Sequence, residues 1–197
     1  MANTNYFRAD LSDINLRAKK IYSAEYAQEI PNGVLGYLGG FKAGSTEIRE
    51  FLAPTADLIK AKLPVIVMKP EINYAEDRKT DGALGIFRNP ANKAFPVIQL
   101  EDLEGIDLSE DYFDLTGKGN GKVEVGDIFV LQPNAVAGTQ LKYSESAPET
   151  TVAGHYFRVV GVVNSHIANY VYTDGTATAT MFPQAYKMVQ LEIVKIA

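Results

Sequence analysis

The last third of the chain constrains the fold most, because β-branched and aromatic residues dominate three of its segments. These segments are HYFRVVGVV from His155, YVYTDGTATATMF from Tyr170 and MVQLEIVKI from Met188. Such residues favour strands, and Asp174-Gly175 fits a two-residue hairpin turn. The sequence therefore predicts a mainly β fold, as a single β-sandwich or small β-barrel domain with long loops, a possible short helix and an N-terminal arm.

Shorter elements are predicted upstream from the alternation of apolar runs with turn residues. A turn at Pro31-Asn32-Gly33 precedes them. The predicted elements are a strand with tight turns from Val34 to Phe41, a strand within Glu47–Ala53, a helical turn over Thr55–Lys62 with Thr55 as its cap, a buried strand in LPVIVMKP from Leu63, and a strand over Val97–Leu100.

The first 30 residues contain no glycine or proline and differ from the remainder. Ile14, Ala18, Ile21 and Tyr22 recur at helical spacing, and Asp13 can cap such a helix. An extended arm lying on a partner is the alternative. The predicted organisation is an N-terminal arm or helix over residues 1–30 and a β-rich domain over residues 31–197.

A second segment predicted to lack regular structure is the polar stretch 71–96, which is rich in turn-forming residues. It predicts a long surface loop. Loops of this length are usually functional or form interfaces.

Composition limits the classes of partner. Apolar residues make up 46% of the chain, enough for a sizeable core, and the absence of cysteine excludes disulfides, thiolate metal sites and a cysteine nucleophile. The net charge of −5 leaves no basic footprint for direct nucleic-acid binding. The longest strongly apolar run, Leu63–Met68, is too short for a membrane span, and Met1–Asp10 is too polar for a signal peptide. We expect a soluble, intracellular protein.

The glycine-rich stretch TGKGNGKVEVGDIFVL, residues 116–131, raises the question of phosphate binding. A P-loop requires glycine where Thr116 stands and Ser or Thr where Val123 stands. Asn120-Gly121 instead suits a type I′ turn. We interpret the stretch as a hairpin or loop followed by a strand that places Val123 and Val125 on one face.

The acidic stretch EDLEGIDLSEDYFD carries seven carboxylates between Glu101 and Asp114. Its spacing does not match a calcium-binding loop. A general acid–base pair of a hydrolase, drawn from Glu101, Asp107, Asp111 and Asp114, is one interpretation. A docking surface for a basic patch is another. The favoured interpretation is a solvated, charged loop.

No other pattern compels catalysis. His155 and His166 are the only histidines, and a metal site using both requires a bend between them. Ser144 or Ser165 could complete a Ser-His-Asp set, but no G-x-S-x-G motif is present. Tyrosine-rich strands such as Tyr170-Val171-Tyr172 could bind sugar, although aromatic residues in β proteins usually pack in the core. The prediction is a non-enzyme with no catalytic, metal or cofactor-binding residues and no cofactor.

The order of segments over about residues 33–138 resembles the head decoration and minor head proteins of tailed bacteriophages of Gram-positive hosts. The segments are GVLGYLGGF, EIREFLAPTA, LPVIVMKPEINYAED, ANKAFPVIQLEDLEG and VEVGDIFVLQPNAVAG. There are three local cues within them. The first is Pro70-Glu71 followed by Tyr74, the second is an Asn-x-x-x-Lys/Ala stretch with Phe95, and the third is the run from Val125 to Phe129. The acidic segment 101–119 is longer than the pattern leads one to expect.

The resemblance implies a virion structural protein, assembled in the host cytoplasm, that binds and reinforces the outer capsid surface. Its implied partner is the major capsid protein of the same phage, and it implies a homo-oligomer, with a trimer suggested by the threefold positions that decoration proteins often occupy. A tail-tube, connector or head-completion protein is the structural alternative, and a carbohydrate-binding β module is the non-structural one.

Overall fold

The fold is taken from a computed structural model, which describes residues 9–10, 20–69, 88–136, 138–172 and 180–196, with backbone only for 9–10, 164–172 and 180–186. One α-helix and fourteen strands lie in this part of the chain: β1 Ala9–Asp10, β2 Ile21–Glu25, β3 Ile30–Pro31, β4 Leu35–Phe41, β5 Ile48–Leu52, α1 Ala56–Ala61, β6 Val65–Val67, β7 Arg88–Asn89, β8 Ala94–Gln99, β9 Gly105–Ser109, β10 Phe113–Asp114, β11 Ile128–Leu131, β12 Leu141–Ser144, β13 His155–Tyr172 and β14 Thr180–Lys195. The predicted mainly β fold is confirmed.

Five strands close into a small barrel in the order β2-β5-β4-β6-β8. All three residues of β6 are buried, as expected for a β-branched run between prolines. The barrel interior includes Phe51, whose ring meets that of Phe95 edge-on at 5.8 Å between centroids. Gly36 has no room for a side chain, because a Cβ there would lie 2.2 Å from a ring carbon of Phe51. Closing the barrel leaves these five strands without free edges.

The other large sheet has seven strands in the order β1-β9-β14-β13-β11-β12-β10. A separate two-stranded pair joins β3 and β7. One continuous cluster of buried apolar residues spans both the barrel and the seven-stranded sheet. The two sheets therefore share a core, which makes them parts of one folded body.

A buried glutamine fastens the barrel to the seven-stranded sheet. Gln140, just before β12, is fully buried. Its Oε1 accepts the backbone N–H of Leu35 at 2.9 Å, and its Nε2 donates to the Leu35 carbonyl at 3.2 Å. One side chain thus satisfies both backbone groups of a barrel residue that would otherwise be buried without partners.

The short helix begins where the sequence predicts. The Thr55 hydroxyl accepts the N–H of Leu58 at 3.3 Å, which is the N-cap bond expected before α1. The helix then docks on the start of β13, where Gly154 donates its N–H to the Ile59 carbonyl at 3.0 Å. A Cβ at Gly154 would lie 2.2 Å from the Lys60 carbonyl oxygen, so this approach requires glycine.

Part of the predicted N-terminal helix is wrong. Ile21 and Tyr22 belong to strand β2 of the barrel, between β5 and β8. Cross-strand pairing with β8, such as Tyr22 with Val97, overrides the helical spacing. Residues 11–19, which carry the remainder of that prediction, and residues 70–87, which carry most of the predicted long loop, lie outside the described residues. The end of that loop, from Ala94, is strand β8.

The prediction of a solvated loop over the acidic stretch is also wrong. Its centre, Gly105–Ser109, forms β9, which pairs with β14 inside the seven-stranded sheet. Ile106, Leu108, Tyr112 and Phe113 within this stretch are buried. The apolar residues between the carboxylates therefore place this stretch in the core. The many charged residues around them led to the wrong prediction.

The strand predicted at Val123 and Val125 is absent from the described structure of this stretch, and the chain forms turns there instead. Val123 is 9% exposed and Val125 is 67% exposed, so the two do not share a buried face. The Asp127 carboxylate accepts the Glu124 N–H at 2.7 Å, which folds residues 124–127 into a turn. Strand β11 begins only after that turn, at Ile128.

The predicted hairpin forms between β13 and β14, but its register differs from the prediction. A two-residue turn at Asp174-Gly175 would pair Tyr172 with Ala177, whereas the ladder pairs Tyr172 with Thr180. The register shifts between Val159 and Gly161 and again before His166, and at each shift β13 advances one residue more than β14. These bulges set the register upstream of the turn. The turn lies outside the described residues.

Candidate interaction surface

The β13–β14 hairpin continues beyond the sheet that anchors it. On one side β11 pairs with β13 only at Arg158 and Phe157, and on the other β9 pairs with β14 from Glu192 to Met188. From the pair His166–Tyr186 to the pair Tyr172–Thr180, the two strands pair only with each other among the described strands. We call this segment, residues 166–172 and 180–186, the ribbon. Its seven pairs extend about 20 Å at 3.3 Å per residue.

Charge is distributed unevenly along this hairpin. The part within the sheet carries Arg158, which is ion-paired with Glu192, and Lys187, whose Nζ lies 3.0 Å from Oε1 of Glu110. In contrast, the whole of residues 164–186 contains a single charged residue, Asp174. Strands that project from a sheet usually carry charge because charge keeps them soluble and unpaired. The ribbon lacks this protection.

No strand that the structure describes pairs with the ribbon as a third strand. Two-stranded hairpins are marginal in water without a third strand or a packed face. The ladder places Tyr170 opposite Phe182 and Val171 opposite Met181, so large apolar residues occupy its registered positions. Protein interfaces favour this aromatic-rich and charge-poor composition at their cores. The ribbon is therefore the best candidate for a surface that binds protein.

The two histidines do not form a common site. They lie eleven residues apart on the single strand β13, where His155 pairs with Lys195 and His166 with Tyr186. The paired positions on β14 are nine residues apart, which places the two histidine backbones about 30 Å apart. His155 is 1% exposed, and neither of its ring nitrogens has a hydrogen-bond partner within the described part of the chain. Burial lowers the pKa of His155 to about 4, so it is neutral at pH 7.

Three carboxylates of the acidic stretch accept backbone N–H groups. Asp102 accepts the Lys195 N–H at 2.6 Å, and Glu104 accepts the Glu101 N–H at 2.8 Å. The Thr116 N–H donates to Asp114 at 3.0 Å, and hydrogen bonding by Thr116 lowers the pKa of that carboxyl. Asp102 and Glu104 lie in the loop before β9, and Asp114 lies in β10. Asp107, another of the carboxylates proposed for a hydrolase, lies in β9 and is 8% exposed.

The glycine-rich loop is closed by its own lysine. Lys118, with a side chain only 7% exposed, forms ion pairs with Asp127 and, at 3.2 Å, with Glu124. Burial alone would lower the pKa of Lys118, but hydrogen bonds and charge from the two carboxylates outweigh it and raise the pKa. Gly121 donates to the Lys118 carbonyl at 3.1 Å, and of the predicted Asn120-Gly121 pair only Gly121 has a positive φ. The predicted type I′ turn is therefore wrong. The positive charge of Lys118 is already balanced by these two carboxylates.

An open cleft of about 620 Å³ lies between α1, β11 and β12. Buried Ile59 and Leu131 contribute apolar surface, and Lys60 and Lys142 contribute positive charge. None of its lining residues, all within the described chain, is a histidine or a carboxylate. Ser144 lines it, but its hydroxyl donates to the Ser146 carbonyl at 2.7 Å. The cleft therefore offers contact surface without the base that would activate this serine.

No family model, curated protein or solved structure matches this chain.

Two further observations concern the part of the chain that the structure describes. It contains no group of three His, Cys, Asp or Glu residues arranged to hold a metal ion. None of its helices is long and apolar enough to cross a membrane. The ribbon remains its most distinctive surface.

Sequence reasoning missed a buried polar network near the barrel. Asn89 donates to the Ile30 carbonyl at 3.0 Å and to Oδ1 of Asn32 at 3.1 Å, and Asn32 also bonds both backbone groups of Lys69. The Tyr112 hydroxyl donates to the Asn32 carbonyl. In the sequence both asparagines stand beside proline in turn patterns, so nothing distinguished them from solvent-exposed turn residues.

Proposed function

We propose that this protein is a bacteriophage virion structural protein, a decoration or cement protein that binds and reinforces the outer surface of the capsid. Its partner is the major capsid protein, and its place is the virion assembled in the host cytoplasm. It acts without chemistry of its own. The support comes from the segment order of the chain and from the ribbon.

The ribbon carries the proposal. It is a projecting pair of strands that continues from the seven-stranded sheet, and only one charged residue lies within positions 164–186. A two-stranded hairpin is marginal by itself, so the backbone edges of the ribbon gain stability when another protein pairs with them. A protein that binds the repeated subunits of a capsid lattice would use such an element to make its contacts.

The segment order gives the second support. The phage-like segments run from strand β4 of the barrel to strand β11 of the seven-stranded sheet. The resemblance therefore covers both parts of the shared core and ends before the hairpin that carries the ribbon. A folded core of the kind that the resemblance covers, combined with a projecting ribbon outside it, suits proteins that attach to similar capsid lattices through different contacts. Repetition over the lattice multiplies weak individual contacts into firm attachment.

Co-sedimentation tests the proposal. Purified protein is mixed with heads of its phage assembled without it, and an unrelated acidic protein of similar size serves as the control. We expect saturable binding at a fixed number of copies per head, and heads that withstand higher temperature when saturated. Failure to bind heads at any protein concentration rules out decoration. Binding to tails or connectors alone would instead favour the tail-tube, connector or head-completion alternative.

A further inference from the structure

The direction of the backbone groups in the ribbon follows from hydrogen bonds in the sheet. Ile193 of β14 donates to the Glu104 carbonyl at 3.0 Å and accepts from Leu103 at 2.8 Å, so its backbone groups point away from β13. Direction alternates along a strand. The register shifts add residues to β13 and not to β14, so odd-numbered residues of β14, including Pro183, point away from β13.

Proline supplies an independent check on this assignment. Pro183 has no N–H, so within a ladder it belongs at a position whose nitrogen points outward. Its ladder partner is Asn169. Because both members of such a pair direct their backbone groups outward, Asn169 presents its N–H and C=O to the outer edge of β13. Ile167 and Val171, two residues to either side, do the same.

The two outer edges of the ribbon differ in their capacity to pair. The edge along β14 lacks a donor at its centre, at Pro183. The edge along β13 is occupied as far as Val159, which donates to the Asp127 carbonyl at 2.9 Å and accepts from Gly126 at 2.8 Å. Beyond Val159 no strand that the structure describes pairs with it. From there to Tyr172 the edge contains no proline and no charged residue.

We infer that the outer edge of β13 in the ribbon pairs antiparallel with the same edge of a second copy of this chain. When the twofold axis passes through Asn169, all the outward backbone groups align. Asn169 then lies opposite Asn169 of the second copy, and Ile167 of each copy lies opposite Val171 of the other. Three residue pairs then exchange about six hydrogen bonds. The two ribbons become one four-stranded sheet.

A second copy fits this edge for two reasons. The outward groups are symmetric about Asn169, so the edge is complementary to itself in antiparallel alignment. The absence of charge from 159 to 172 means that no side chain meets a like charge on its copy. With the β14 edge weakened at Pro183, pairing closes as a dimer and does not extend into a fibre.

The experiment uses the full-length protein without capsids, so its outcome is independent of capsid binding. Analytical ultracentrifugation gives the dimer dissociation constant for wild type, Asn169→Pro and the matched control Ala185→Pro. Asn169→Pro removes the central outward donor of β13 in each copy, two hydrogen bonds per dimer. We expect a dissociation constant about 30-fold higher. Ala185→Pro alters the opposite edge and leaves the dissociation constant unchanged.

A second variant and a residue-level measurement keep the test independent of proline's effects on folding. Asn169→Lys places like charges opposite each other at the twofold axis and also weakens the dimer. In amide hydrogen exchange, protection of Ile167, Asn169 and Val171 rises with protein concentration, while Ala168 and Tyr170 are protected throughout. A wild-type protein that stays monomeric at the highest soluble concentration overturns the inference. So does a dimer that Asn169→Pro and Asn169→Lys leave intact.

Discussion

Replacing His155 tests whether a buried neutral imidazole makes the stability of this protein depend on pH. His155 opens β13, is 1% exposed, and packs edge-on against Phe157 at 5.7 Å between ring centroids. Neither ring nitrogen has a hydrogen-bond partner in the described part of the chain. The folded protein therefore excludes the proton that the unfolded chain accepts freely.

The magnitude follows from the two pKa values. Burial lowers the pKa of His155 from 6.5 in the unfolded chain to about 4 in the folded protein. Between these values the unfolded state binds more protons, so the free energy of unfolding falls as the pH falls. Linkage gives a loss of about 2 kcal/mol between pH 7 and pH 5, and about 3 kcal/mol by pH 4. Above pH 6.5 the contribution is complete.

The assay is urea unfolding at pH 7, 6 and 5 for wild type, His155→Phe and His155→Leu. Carboxylates titrate alike in all three proteins, so the difference between curves isolates the histidine. We expect both variants to lose about 2 kcal/mol less than wild type between pH 7 and pH 5. Two substitutes of different shape separate the loss of the titrating group from altered packing. Parallel pH dependence in all three proteins would refute the burial of a neutral imidazole at this position.

Two further predictions concern contacts that join separate parts of the fold. Gly154→Ala forces a methyl group to within 2.2 Å of the Lys60 carbonyl oxygen, and we expect a loss of about 3 kcal/mol of unfolding free energy in urea. Gly119→Ala, where a Cβ meets nothing within 4 Å, is the control, and equal losses in both variants would contradict the close approach of helix and sheet. Gln140→Leu leaves two buried backbone groups of Leu35 without their partner, and we expect a loss of about 3 kcal/mol by thermal or urea unfolding. An unchanged midpoint in that variant would show that the barrel is not held to the sheet through this side chain.

Much of the local structure was predictable from neighbouring residues. Thr55 marks the start of α1, and the run between Pro64 and Pro70 contains buried strand β6. Asp174-Gly175 between two β-rich runs predicted that the ends of β13 and β14 next to the turn pair. Capping bonds, proline positions and the two-residue period act over a few residues, so the sequence displays them directly.

The ribbon was only partly predictable. The sequence displays its tyrosines and its lack of charge. It does not display that β9 and β11 stop short of His166, because strand ends depend on segments far away in the chain. The register also escaped prediction, since the bulges near Gly161 and His166 shift the pairing away from the position that Asp174-Gly175 alone would dictate.

The sequence by itself determined the β character of this protein, the cap and position of its helix, and the absence of charge from residues 164–186 apart from Asp174. Only the tertiary structure decided that the acidic stretch contributes β9 to the core and that His155 is buried without a partner among the described residues. The reason is physical. Burial and strand order arise from pairing between residues distant in sequence, and the cost of covering a charge or an imidazole depends on which neighbours the whole fold brings to it.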